Sequence, residues 1–264
     1  MATTRGIPIV ADQPPEQCLA RVYVWQLPVR VSHWLIFFAI ISLSFTGYYM
    51  HNPFIISRAP TTYMMGTMRY IHIISGYIFL AAFMMRVYYF VAGNYWASWR
   101  FFIPTDRQRL KTAREMFKYY SFLRREPVRQ VGHNALAGMT YSFIFFLMAL
   151  EILTGLVLYS QVRGPGLART LFGWVPGIID IQYLRLFHFL CMFAFIAFAI
   201  HHVYSAILVS IEERNGLLES MFSGFKFVQG YELEEQEQRR QILLKTSLPS
   251  RIARWWSSRK KKGA

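Results

Sequence analysis

The chain reads as an all-α membrane protein, a four-transmembrane-helix bundle, and three observations predict this. Of its 264 residues 54% are hydrophobic, and these gather into four long blocks at about 31–50, 70–92, 136–159 and 184–210. A helix needs roughly 20 apolar residues to cross a bilayer core, and each block is long enough. The charges lie between the blocks and favour alternate connections. Histidines recur inside the blocks at a helical spacing.

The charge pattern orients the bundle. Three Lys or Arg precede the first block, two lie in 51–69, nine in 93–134, two in 161–183 and eleven after 210. Short loops rich in Lys and Arg stay on the cytoplasmic side, so both termini and the middle loop are expected there. The formal charge of +15 is then explained by a basic face against anionic lipid, and no nucleic acid is invoked. The N-terminus, with Asp12, Pro14, Pro15 and Glu16, does not resemble a cleavable signal peptide. The expected organisation is a cytoplasmic tail over 1–20, a membrane domain over 21–215 and a charged cytoplasmic tail over 216–264.

The first span begins near Val31, with Trp25 and Trp34 placed for an interfacial aromatic belt. His33 lies just inside its cytoplasmic boundary and Gly47 follows 14 residues later. Fourteen residues are about 21 Å of helix and a net turn of only about 40°, so both look out of one face at two depths. The second span repeats the spacing with His72 and Arg86, and Gly76 lies one turn beyond His72. An Arg within a span is costly and is expected to face a partner, a propionate or a carboxylate. In the middle loop REMFKYYSFLRR reads as an amphipathic surface helix that ends at Pro127. The third span carries Glu151, Thr154 and Gly155 as its polar or small exceptions. The echo of SFTGYY in ILTGLV is too short to count as a repeat.

The fourth span repeats the spacing again, with His188 and His202 sharing a face and His201 on another side. Helix direction puts His33 and His202 at the cytoplasmic depth and His72 and His188 at the outer depth. Two pairs follow, each fit to supply both axial nitrogens of a six-coordinate b-type haem, a site for electron transfer rather than substrate binding. If the fourth helix is distorted, His201 takes the place of His202. A histidine in a span also serves as an interhelical hydrogen-bonding group, and His51 and His133 alone read as loop residues. Arg58, Arg69 and Arg185 read first as snorkelling anchors near outer helix ends and second as propionate partners. Cys18 lies in the expected cytoplasmic leader and Cys191 inside a span, so no disulfide is expected between them, and the absence of C-x-x-C-H excludes covalent haem.

The motif set resembles the b-type cytochrome subunit of membrane-bound nickel-iron hydrogenases. It comprises W-x-x-P-V-R-x-x-H-W at Trp25–Trp34, T-G-Y at Thr46–Tyr48, R-x-x-H-x-x-x-G at Arg69–Gly76 and R-x-Y at Arg86–Tyr88. G-N-Y-W-A at Gly93–Ala97, G-H-N at Gly132–Asn134, and R-x-x-H with H-x-Y between Arg185 and Tyr204 complete it. The wider di-haem family includes the cytochrome subunits of formate dehydrogenases and thiosulfate reductases. The resemblance covers about 21–215. It implies haem ligands at His33, His72, His188 and His202, with Gly47, Gly76, Arg69, Arg86 and Arg185 around the two haem b groups. It also implies a place in the bacterial cytoplasmic (inner) membrane, a hydrogenase small subunit with iron–sulfur clusters as electron donor, and through it the large subunit. Quinone is the implied acceptor, near His133 and Asn134. No hydrogen-activating site is expected in this chain, because two separated cysteines cannot hold a nickel-iron centre or a four-thiolate cluster. The competing expectations are a formate dehydrogenase or thiosulfate reductase subunit, a non-redox membrane anchor, and a proton-conducting bundle built on Glu151.

Overall fold

The structure, a computed structural model, describes residues 19–54, 63–103, 107–125, 135–162, 165–213 and 216–229. The long helices are α1 (Leu27–His51), α2 (Met64–Ala92), α5 (Ala135–Val162) and α7 (Ile181–Glu213). All four are long and apolar enough to cross a membrane, and the chain is a multi-pass membrane protein. Each begins or ends a few residues beyond the corresponding apolar block, because the helical backbone continues into polar flanks where the apolar run has stopped.

α1 starts with a proline in its first turn, where a missing N–H costs nothing. Its buried positions, Val29, Ser32, Ile36, Ala39, Thr46 and Tyr49, step by three, four or seven, and α2 buries Ser75, Phe79, Ala82 and Arg86 in the same rhythm. α1 and α2 are the most intimately packed pair, joined midway by Ser42 Oγ and Ser75 Oγ at 2.8 Å. Small and hydroxyl-bearing residues suit such an interface, since lipid offers no hydrophobic drive for helices to associate. One core cluster takes two residues from each span: Ile36 and Ala39, Phe79 and Ala82, Ile144 and Met148, Cys191 and Phe195. Large apolar side chains such as Phe38, Ile41, Phe45 and Ile200 are exposed on the outer surface, where lipid solvates them.

The connection after α2 turns through Gly93–Ala97 into α3 (Trp99–Phe102) and α4 (Arg107–Tyr120). Asn94 holds this turn, donating through Nδ2 to the Val24 carbonyl at 2.8 Å and accepting the Ala97 N–H at 3.1 Å. The surface helix thus runs over Arg107–Tyr120, earlier than REMFKYYSFLRR predicts. It stops because Phe122 adopts a left-handed φ of 60° and the Leu123 N–H closes on the Lys118 carbonyl at 2.8 Å. On α4, Lys118 donates to Glu115 at 2.9 Å and holds that carboxyl below the usual range. Between α5 and α7 lies the short α6 (Leu167–Phe172).

The chain after the fourth span departs from the expected tail. Leu217–Ser223 forms α8, and β2 (Phe225–Gln229) pairs antiparallel with β1 (Leu19–Tyr23), Leu19 opposite Gln229 and Tyr23 opposite Phe225. The reason is tertiary. The Trp34 indole and the Arg30 guanidinium of α1 donate to the Met221 and Phe222 carbonyls at the end of α8. Trp25 Nε1 donates to Ser220 Oγ at 3.1 Å. Trp25 is accordingly 2% exposed, packed with Val24, Val29 and Ala97 instead of lying in a lipid-facing belt. Residues 1–18 and 230–264 lie outside the described residues.

Gly224 makes the closing turn, with φ at +86° and its carbonyl accepting both Val24 and Trp25 N–H groups. A Cβ there would stand 2.5 Å from Tyr23 Cε2. Gly224→Ala is expected to cost at least about 1–2 kcal/mol from the left-handed backbone alone. The check is faster amide exchange in Leu19–Tyr23 and Phe225–Gln229 with the four spans still protected.

Candidate functional site: two histidine pairs across the bundle

The end of the bundle that carries the β1–β2 sheet is called the sheet end below, and the other the far end. At the far end His72 of α2 faces His188 of α7, ring centres 6.4 Å apart and planes at 65°. At the sheet end His33 of α1 faces His202 of α7, with centres 6.2 Å apart and planes at 60°. His201 is exposed on another side of α7, so the ring that meets His33 is that of His202.

The far-end rings are held in matching ways. Thr46 Oγ1 donates its proton to the Ser42 carbonyl at 2.7 Å and lies 2.9 Å from His72 Nδ1. Thr154 Oγ1 donates to the Leu150 carbonyl at 3.0 Å and lies 3.0 Å from His188 Nδ1. A hydroxyl whose proton is committed to a carbonyl can only accept, so we assign the proton of each imidazole to Nδ1. Nε2 then keeps its lone pair. The glycine after each threonine makes room for the ring: a Cβ on Gly47 would lie 3.3 Å from His72 Cε1, and one on Gly155 3.2 Å from His188 Cε1. The two Thr-Gly pairs therefore do the same work on α1 and α5, although their sequence echo is short. Glu151 adds a difference, its Oε1 lying 3.2 Å from His188 Nδ1.

At the sheet end the surroundings are less alike. His202 Nδ1 lies 3.3 Å from the Tyr141 hydroxyl, and Phe198 stacks on the His202 ring at 5.4 Å and 11°. Trp34 meets the His33 ring edge-on at 5.4 Å. His33 Nδ1 is buried with no hydrogen-bond partner among the described residues.

An imidazole nitrogen binds a transition metal at about 2.0–2.1 Å and sits about 1.1 Å from its own ring centre, so two rings on opposite sides of one ion have centres about 6.3 Å apart. Both pairs have that separation. Among the described residues His, Cys, Asp and Glu nowhere gather in threes that could hold a metal. Gly76, one turn from His72, would present a Cβ to open space, with nothing within 4 Å. These residues fit a b-type haem.

Arg69 and Arg185 are exposed, and Arg185 reaches Gln182 Oε1 at 3.5 Å. Arg86 is 5% exposed at the sheet-end depth. It donates to the Ala97 carbonyl at 3.2 Å and lies over the Phe90 and Phe102 rings at 4.2 and 5.0 Å. Among the described residues it thus pairs with a carbonyl and aromatic faces, and not with a carboxylate. His51 stacks on Phe189, the residue after His188, at 4.0 Å. Arg58, His133 and Asn134 lie outside the described residues. Sequence reasoning missed Thr46, Thr154, Gly155 and Tyr141 as supports. The available signals were the Thr-Gly echo and the 14-residue step from Tyr141 to Gly155.

A profile of the family described as prokaryotic cytochrome b561 matches residues 24–224. The probable Ni/Fe-hydrogenase B-type cytochrome subunit of Bradyrhizobium diazoefficiens is 36% identical over 225 residues, 82% of this chain and 91% of that protein. The corresponding subunit of Rhodobacter capsulatus is 35% identical, covering 78% of this chain and 81% of its own. The probable Ni/Fe-hydrogenase 1 B-type cytochrome subunit of Escherichia coli K12 is 29% identical over 77% of this chain and 90% of that one. Four apolar spans, two facing pairs of imidazoles and a match across the whole bundle agree: the chain belongs to the prokaryotic cytochrome b561 family, with the Ni/Fe-hydrogenase B-type cytochrome subunits as its relatives.

Proposed function

We propose that this protein is the membrane-anchoring cytochrome b subunit that passes electrons from the iron–sulfur small subunit of a nickel-iron hydrogenase, through two b haems, to quinone. The observation that carries the proposal is the separation of the two histidine pairs, 6.4 and 6.2 Å between ring centres, one near each end of the bundle. His72 and His188 hold one haem, and His33 and His202 the other. Each haem, when bound, supplies a one-electron couple whose iron has no open position for substrate.

The protein's own part is orientation and enclosure. Thr46 and Thr154 fix the far-end rings with Nε2 turned inward, and Gly47 and Gly155 let those rings lie against the helix backbones. Phe198 and Trp34 shield the sheet-end pair from water. The excess of Lys and Arg in the 93–134 segment and after 210 puts the sheet end and both termini on the cytoplasmic side of the inner membrane. The far-end haem then stands toward a hydrogenase on the outer face, and the sheet-end haem toward a quinone site in the neighbourhood of His133 and Asn134. That the relatives are Ni/Fe-hydrogenase B-type cytochrome subunits favours hydrogenase over formate dehydrogenase or thiosulfate reductase as the partner.

The test is purification in mild detergent with haem and protein both quantified. Two haems per chain, a b-type α-band in the reduced-minus-oxidised spectrum and a co-purifying nickel-iron protein are expected. A chain without haem sinks the proposal. A molybdenum or tungsten partner moves the protein to the formate dehydrogenase or thiosulfate reductase class.

A further inference from the structure

The four spans share one register, in which a far-level residue and a sheet-level residue lie 14 positions apart. The pairs are Gly47 and His33 on α1, His72 and Arg86 on α2, Gly155 and Tyr141 on α5, and His188 and His202 on α7. At the far level the four are alike in twos: two histidines, each against a glycine. At the sheet level they are not, for Arg86 and Tyr141 stand where a fully duplicated bundle would carry a second histidine pair. Among the described residues of the four spans the buried arginine, Arg86, therefore lies at the sheet level, while Arg69 and Arg185, three residues from His72 and His188, are exposed. Arg86 is 5% exposed, among the described residues only a carbonyl and aromatic faces receive its charge, and Phe102, over which it lies, packs against Tyr141 beside His202. At the other level a carboxyl oxygen of Glu151 stands 3.2 Å from His188 Nδ1, and its second oxygen is buried without a hydrogen-bond partner among the described residues.

Resting on the two-haem reading above, we propose that Arg86 and Glu151 set the order of the two potentials, so that electron flow from the far end to the sheet end is downhill. The transfer concerned moves one electron and no proton: the centre between His72 and His188 goes from ferrous to ferric as that between His33 and His202 goes from ferric to ferrous. A ferric haem core with two neutral imidazoles carries one net positive charge and the ferrous core none. Coulomb repulsion from Arg86 therefore disfavours the ferric state at the sheet level, an effect that survives in the low dielectric of a bilayer core. Arginine suits the role because it stays charged when buried. At the far level, a ligand histidine that donates its other N–H to a carboxyl oxygen becomes a more basic ligand, which favours the ferric state. One group raises the acceptor's electron affinity, and the other lowers the donor's.

The experiment is a potentiometric titration of the α-bands in the purified complex, comparing wild type with Arg86→Gln, Arg86→Lys and Glu151→Leu. A His33→Ala variant, keeping only the far-level haem, assigns the midpoints. Arg86→Gln is expected to lower the sheet-level midpoint and Glu151→Leu to raise the far-level one. Each should change the equilibrium between the two centres by tenfold or more, about 59 mV for a one-electron couple. Arg86→Lys, which keeps the charge, should stay near wild type. Unmoved midpoints with both haems bound overturn the proposal, as does a lysine variant shifted as far as the glutamine one. If Arg86→Gln loses haem, an unmoved far-level midpoint in Glu151→Leu is decisive against it. A wild-type protein without two haems instead defeats the two-haem reading itself.

Discussion

Replacing His72 or His188 by alanine is expected to remove one haem from each chain and leave the other, halving the haem-to-protein ratio. Replacing His33 or His202 should remove the complementary haem. The reason is the pairing. His72 and His188 come from different helices and face each other at 6.4 Å, while the His33–His202 pair meets at the other level of the bundle. Losing one imidazole leaves its mate with a metal bound on one side, and the two levels share no ligand. Hydrogen-dependent quinone reduction should fall in each variant by at least the roughly 100-fold that removal of a mere supporting group can cause. His201→Ala is the control: its ring is exposed and meets neither pair, so haem content should stay at the wild-type value. Pyridine-haemochrome quantification against protein checks all five variants. Equal haem content in His72→Ala and wild type would contradict the assignment.

The second large effect is expected from a single hydroxyl. Thr46→Val keeps the volume and removes the acceptor that lies 2.9 Å from His72 Nδ1. The buried N–H is then unsatisfied, at a cost of about 1–3 kcal/mol, and the ring is free to take the other tautomer or rotate. Supporting groups of this kind are worth about 10–100-fold in metal affinity, and Thr46→Val should lose haem to that extent. Thr154→Val should lose less, because Glu151 Oε1 at 3.2 Å remains to accept the His188 proton. Haem transfer to an apo-protein acceptor, followed optically, ranks the two. A larger loss in Thr154→Val than in Thr46→Val would mean that Glu151 does not act as the acceptor.

Helix rotation separates what could be read from the chain and what could not. The spans were legible because a bilayer demands length and apolarity from each crossing segment by itself. The 14-residue steps in α1, α2 and α7 were legible because helical periodicity alone puts both members on one face. Sequence spacing put His202 rather than His201 on the face of His188 and kept His201 as the alternative for a distorted helix; the structure shows His201 exposed. The supports were not legible. Thr154 read as an ordinary polar exception and Thr46 only as part of the T-G-Y motif, since nothing in α1 or α5 alone says which ring stands opposite. Arg86 invited an acidic partner, yet the neighbours that receive it, Ala97 and Phe102, come from the connection after α2. The closing sheet was missed for the same reason: β1 and β2 are short, lie some 200 residues apart in the sequence, and are joined through Trp25, Trp34 and Arg30.

By itself the sequence determined the four helices long and apolar enough to cross a membrane among the described residues, and which of His33, His72, His188 and His202 share an end of the bundle, because a helix's own pitch and length decide both. Only the tertiary structure decided which side chain holds each ring, where the buried cation rests and how the two ends of the bundle are closed. Those depend on the rotation and approach of one helix against another, which no periodicity within a single helix encodes.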